Sequence, residues 1–148
     1  PAGGYAQQPP AGEGGCQGSE RPLRPRATRL AYVHAMQRPN ADPDNMLPSD
    51  FLCDFCGREW DGESPVVEGH RGSLICGDCL AAAYRALVLS ASPTAAAGYT
   101  CTLCIEARPD GGWRGVGRPE AAACLRCVKQ SAAVLAKDKD MGWKRPTA

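Results

Sequence analysis

The sequence is poor in large apolar side chains. Leu, Ile, Val and Phe together supply 22 of its 148 residues, whereas alanine alone supplies 23. Aromatic residues make up 6% of the chain. Burial of so little apolar surface would not by itself offset the entropy of ordering the backbone, so some other source of stability is required. No apolar run approaches the roughly 18 residues that a membrane-spanning helix needs. No G-x-x-x-x-G-K-[ST] loop is present, which excludes a P-loop nucleotide site. The N-terminal stretch is rich in Gly, Pro and Gln and lacks the apolar core of a signal peptide. The expected compartment is therefore the reducing cytoplasm, where paired cysteines serve metals more often than disulfides. Histidine is scarce, with His34 and His70 as the two examples, and both read as surface residues.

Cysteine is what the chain has in excess. Eight of its nine cysteines form four C-x-x-C pairs: Cys53/Cys56, Cys76/Cys79, Cys101/Cys104 and Cys124/Cys127. Nineteen residues separate Cys56 from Cys76 and nineteen separate Cys104 from Cys124, so the second set repeats the first at a displacement of 48. This is the mark of an internal duplication. Two thiolates three positions apart can turn toward one ion, and two such pairs complete a tetrahedron around zinc at roughly 2.3 Å per bond. The eight cysteines are thus candidate ligands for two Zn2+ ions. Four thiolates leave no open coordination position, which makes each site structural and not catalytic. Zinc held in this way contributes about 10–16 kcal/mol in small peptides, the folding energy this chain otherwise lacks. A disulfide framework and a zinc–thiolate redox switch are the alternatives. Cys16, the odd thiol, reads as an incidental free cysteine. With eight thiolates and two zinc ions the formal charge moves from +1 to about −3, so the apo charge is no argument for nucleic-acid binding.

The punctuation of the chain places these pairs in a small α+β architecture. Residues 1–49 read as a flexible segment rich in Pro, Gly and Arg, with a short helix over 28–37 capped by Thr28. Residues 50–92 form a first zinc module. Its knuckle, Cys53-Asp54-Phe55-Cys56, is followed by Gly57, suited to a tight turn. Pro65 to Glu68 and Ser73 to Ile75 read as a hairpin with Gly69 and Gly72 in its turn. From Asp78 to about Ser90 the pattern is helical, with Leu80, Ala83, Tyr84, Leu87 and Val88 on one face. Knuckle, hairpin, then ligands at a helix start is the treble-clef order. Residues 93–99 read as a linker. Residues 100–137 form a second module with a less distinct hairpin and a helix from Leu125 to about Lys137, burying Val128, Ala132 and Leu135. Residues 138–148 read as a loose polar tail, in which Trp143 is either disordered or a docking element.

The first module resembles the N-terminal zinc-binding domain of the ClpX unfoldase subunit, through Cys53-x-Phe-Cys-Gly-Arg and Leu-Ile-Cys-x-Asp-Cys79 followed by a helix. The second keeps the cysteine frame, with Ile105 where that family has glycine and Ala123 where it has isoleucine. The resemblance implies zinc ligation by Cys53, Cys56, Cys76 and Cys79 in a dimeric treble clef that docks substrates and adaptors. Duplication within one chain further implies an internal pseudo-dimer, or a homodimer, with Phe55, Val66, Leu74, Tyr84 and Leu87 at the joint.

Charge divides the modules. Residues 50–97 carry three basic and seven acidic side chains, and residues 98–148 carry nine basic and five acidic. This points either to complementary packing or to ordinary solvated surface. Arg108, Arg114, Arg118, Arg126 and Lys129 surround the second site together with Trp113, a composition that would suit single-stranded nucleic acid or would offset thiolate charge. Trp60 and Trp113 are core aromatics or partner anchors. No nucleophile–base pair or carboxylate pair has supporting spacing, so no enzyme activity is expected. The expected function is a zinc-stabilised module that binds a protein partner, with nucleic-acid binding through the second module as the alternative.

Overall fold

The computed structural model describes residues 37–148. The helix expected over 28–37 lies outside them except for Gln37, which forms an antiparallel bridge with Phe51; Cys16 and His34 also lie outside. The architecture is small α+β, and the described residues form three two-stranded antiparallel ladders, two α-helices and short 3-10 turns. Among the described residues no helix is long and apolar enough to cross a membrane.

In the first half, β1 (Val66–Glu68) pairs with β2 (Leu74–Cys76), and α1 (Gly77–Tyr84) follows without a break. The helical stretch read to Ser90 is present, but its last turn, Arg85–Leu89, widens into a π-turn. In the second half, β3 (Tyr99–Thr100) pairs with β4 (Ala107–Arg108) around the knuckle. The indistinct hairpin resolves into β5 (Trp113–Arg114) and β6 (Ala122–Ala123), and α2 (Leu125–Leu135) follows. Val128, Ala132 and Leu135 are buried as their spacing requires. The stretch read as a linker is tied down: Thr94 and Ala95 donate to the Gly112 carbonyl, and Ala95 is buried.

The two halves repeat at the level of single hydrogen bonds. The Cys53 amide donates to the Arg58 carbonyl as the Cys101 amide does to Glu106, and the Gly57 amide donates to Cys53 as that of Ile105 does to Cys101. The hairpins depart from this register. Trp113 faces Ala123 as Val67 faces Ile75, an offset of 46 on the first strand and 48 on the second. The second hairpin turn is two residues longer, and its approach from the knuckle is two residues shorter. The equal spacers of nineteen therefore hide a redistribution of length.

The halves share one core, in which Phe55, Ile75, Leu80 and Val128 are fully buried. Helix α1 packs against α2, and the Phe55 and Trp113 rings meet at 5.6 Å. Two of the backbone contacts are reciprocal. The His70 amide donates to the Leu103 carbonyl at 2.6 Å, and the Arg118 amide donates to the Phe55 carbonyl at 3.1 Å. Leu103 and Phe55 occupy the same place in their knuckles, so each hairpin turn caps the other half's knuckle, as in an isologous interface. Small residues make this approach feasible. A Cβ on Gly69 would lie 2.9 Å from the Leu103 carbonyl oxygen, and one on Gly115 would lie 2.5 Å from that of Phe55. Of the residues expected at the joint, Phe55 is there, whereas Gly69 reads from sequence as a turn former.

Candidate metal centres

Each knuckle turns two thiols inward, and each helix start brings two more. Cys76 and Cys124 stand just before α1 and α2, with Cys79 and Cys127 in the first turns. The four sulfurs Cys53, Cys56, Cys76 and Cys79 lie within 4.8 Å of one another, as do Cys101, Cys104, Cys124 and Cys127. All eight sequence-predicted ligands are thus gathered into two separate groups. The Cys56 and Cys76 sulfurs are 3.8 Å apart, close to the edge of a tetrahedron built on bonds of about 2.3 Å. The Cys76 amide donates to Cys53 Sγ at 3.4 Å, and the Cys124 amide donates to Cys101 Sγ at 3.3 Å.

Full ionisation of either group calls for a cation. Hydrogen bonds from Cys76 and Cys79 hold Cys53 far below the ordinary thiol value, while Cys53 pushes Cys76 up to about 12 and Cys79 higher still. In the second group the Cys101 and Cys127 thiols lower Cys124, whereas Cys127 is raised by Cys101 and Cys124, and Cys101 by Cys124. Neighbouring thiols therefore cannot all ionise on their own account. A divalent ion at the centre of each group would offset half the charge of four thiolates, and an all-sulfur tetrahedral donor set suits zinc. The two centres fit two Zn2+ ions.

Their surroundings differ. Arg108 donates to Cys104 Sγ at 3.1 Å and forms an ion pair with Glu106 at 2.6 Å, and Glu106 also pairs with Arg126 at 3.1 Å. Burial acts to raise Cys104, but the Arg108 hydrogen bond and the Glu106 amide outweigh it and the net direction is down. Trp60 occupies the corresponding place in the first half, and its indole donates to the Ser64 carbonyl at 2.8 Å. The ion pair Arg58–Asp78, at 2.6 Å, stands where the second half has Glu106–Arg126, with the charges exchanged.

Four of the five basic residues singled out from sequence, the arginines, are drawn into internal contacts. Arg114 donates to the Pro119 carbonyl, and Arg118 lies 3.9 Å from the Asp54 carboxylate across the joint. Lys129 is exposed on α2. Trp113 is 4% exposed, and Trp60 is half-buried, edge-on to Phe51. His70 is exposed in the first hairpin turn.

Sequence reading missed the residue between the knuckle cysteines. Asp54, buried, accepts the Leu74 amide at 2.7 Å, and Thr102 accepts the Ala122 amide at 3.0 Å. Each ties its knuckle to the second hairpin strand of its own half. Burial pushes the Asp54 carboxyl up, against the Leu74 amide and Arg118. The signal for this pair was a short polar residue at the same knuckle position in both repeats.

Comparison of the chain with family models, with curated proteins and with solved structures gives no match.

Proposed function

We propose that this protein is a zinc-stabilised protein-interaction module of adaptor or regulatory type, similar in role to the substrate- and adaptor-docking domain of ClpX. The observation that carries this reading is the closure of both centres by four sulfurs each. Zinc in such a site supplies folding energy and offers no position for substrate or water. The reading is of a binding protein and not an enzyme. The internal employment of Arg108, Arg114, Arg118 and Arg126 favours a protein partner over nucleic acid, since those side chains already have acceptors or counter-charges. The reciprocal joint supports a further part of the reading: one chain supplies both halves of a dimer-like unit and presents two unlike faces.

The test is capture of partners by the zinc-loaded chain from a lysate of its own cells, with and without nuclease. A protein partner that survives nuclease is the expected result. Loss of all captured material on nuclease treatment, together with affinity that falls steeply with salt, would replace this reading with nucleic-acid binding through the second half.

A further inference from the structure

The last residues of the chain return to the first half. Trp143 lies against the start of α1, where its indole Nε1 donates to the Gly77 carbonyl at 3.1 Å. The fit is close, since a Cβ on Gly77 would lie 2.9 Å from Trp143 Cδ1 and 3.1 Å from Pro65 Cβ. Two residues on, the Arg145 guanidinium stands 5.9 Å from the centre of the Tyr84 ring. Trp143 borders a cleft of about 160 Å³ with apolar walls at Trp60, Pro65 and Val66 and a rim that carries Glu59, Asp61 and the Arg58–Asp78 ion pair. The seated segment matches this chemistry: an indole for the apolar walls, then Lys144 and Arg145 beside a half with seven acidic and three basic side chains. The contact joins residues 66 positions apart, and the tail bears no zinc ligand.

We propose that the seat of Trp143 against the start of α1, at the edge of this cleft, is a peptide-docking site for a segment in which tryptophan is followed by basic residues, and that the chain's own Trp143-Lys144-Arg145 holds it in cis until a partner segment of the same chemistry displaces it. The inference rests on the protein-interaction reading and names its partner class. A tethered segment competes at an effective concentration near millimolar, so the intact tail masks the site from weak ligands in trans.

The experiment uses the full zinc-loaded chain and a fluorescent peptide of residues 138–148, followed by anisotropy. Trp143→Ala is expected to bind the peptide at least about tenfold more tightly than the unaltered chain, and a peptide with alanine at the tryptophan position is expected not to bind. Should Trp143→Ala fail to retain two zinc ions, Lys144→Glu/Arg145→Glu, which alters exposed side chains alone, is expected to unmask the site in the same direction. No binding to a zinc-replete unmasked variant, or equal binding to masked and unmasked chains, would overturn the proposal. Failure of the peptide alongside a nuclease-resistant protein partner removes the cleft and leaves the interaction reading standing. Peptide binding without any protein partner supports the cleft as an intramolecular latch site and removes that reading.

Discussion

Gly57 and Ile105 occupy the same position after their knuckles, and both have positive φ, 75° and 60°. Glycine takes this conformation freely, whereas a β-branched side chain there costs about 1–2 kcal/mol. Ile105→Gly should therefore stabilise the zinc-loaded protein by up to about 1 kcal/mol and raise its melting midpoint by a few degrees. A lower midpoint would mean that Ile105 packing outweighs the strain. The position was legible in the sequence as a replaced glycine, because the cysteine frame fixes the register around it. Arg108 was legible as a charge but not as a ligand to sulfur, since only the β3–β4 ladder folds it back onto Cys104. Donors to metal-bound ligands commonly tune affinity by 10–100-fold. Arg108→Met should speed zinc loss from the second centre to a chelator by about tenfold, with Arg108→Lys in between. Zinc-release traces unchanged by either substitution would show that the contact does not tune the metal.

The elements that bear ligands were the most legible, because a knuckle and a helix start each carry a C-x-x-C signature. The helices followed from apolar spacing, and Leu80, Ala83 and Val128 are fully buried on the faces that spacing assigned. The second hairpin was harder to read, since its strands are two residues each and two of those four residues are alanine. The joint between the halves was readable only in part: Phe55 was expected there and meets Trp113. Its backbone contacts were not readable, because Gly69 and Gly115 lie on the carbonyls of Leu103 and Phe55, and a glycine in a hairpin looks the same whether it turns or makes room. Gly115→Ala should lower stability by about 1–3 kcal/mol through forced displacement at this joint, while both zinc ions remain bound. Denaturant unfolding with zinc analysis checks this. A stability equal to that of the unaltered chain would show that the joint yields without cost.

At the scale of the whole molecule, the charge asymmetry between the halves is mostly not used in packing them together, since most ion pairs are local. Arg58–Asp78 and Glu106–Arg126 each lie within one half, and Arg118–Asp54 bridges the two. Exposed pairs such as Arg58–Asp78 and Glu106–Arg126 contribute little, so cohesion comes from the shared core and the two centres. Trp143 was legible as a docking element or as a disordered one. Its partner lies 66 residues away, beyond any local pattern. Stability that depends on metal has a direct consequence: chelation should unfold the core, with loss of amide dispersion and helical signal, and added zinc should restore both. Lowering the pH should act in the same direction, because protons compete with zinc for the thiolates. A fold that survives chelation would show that burial suffices after all. The most direct test of the account is the metal content of the intact chain by native mass spectrometry. Two zinc ions per chain are expected, falling to one when Cys53 and Cys56 are both replaced by serine and likewise when Cys101 and Cys104 are. Fewer than two in the unaltered chain, or a mass reporting cysteine pairs joined as disulfides in place of metal, would contradict it.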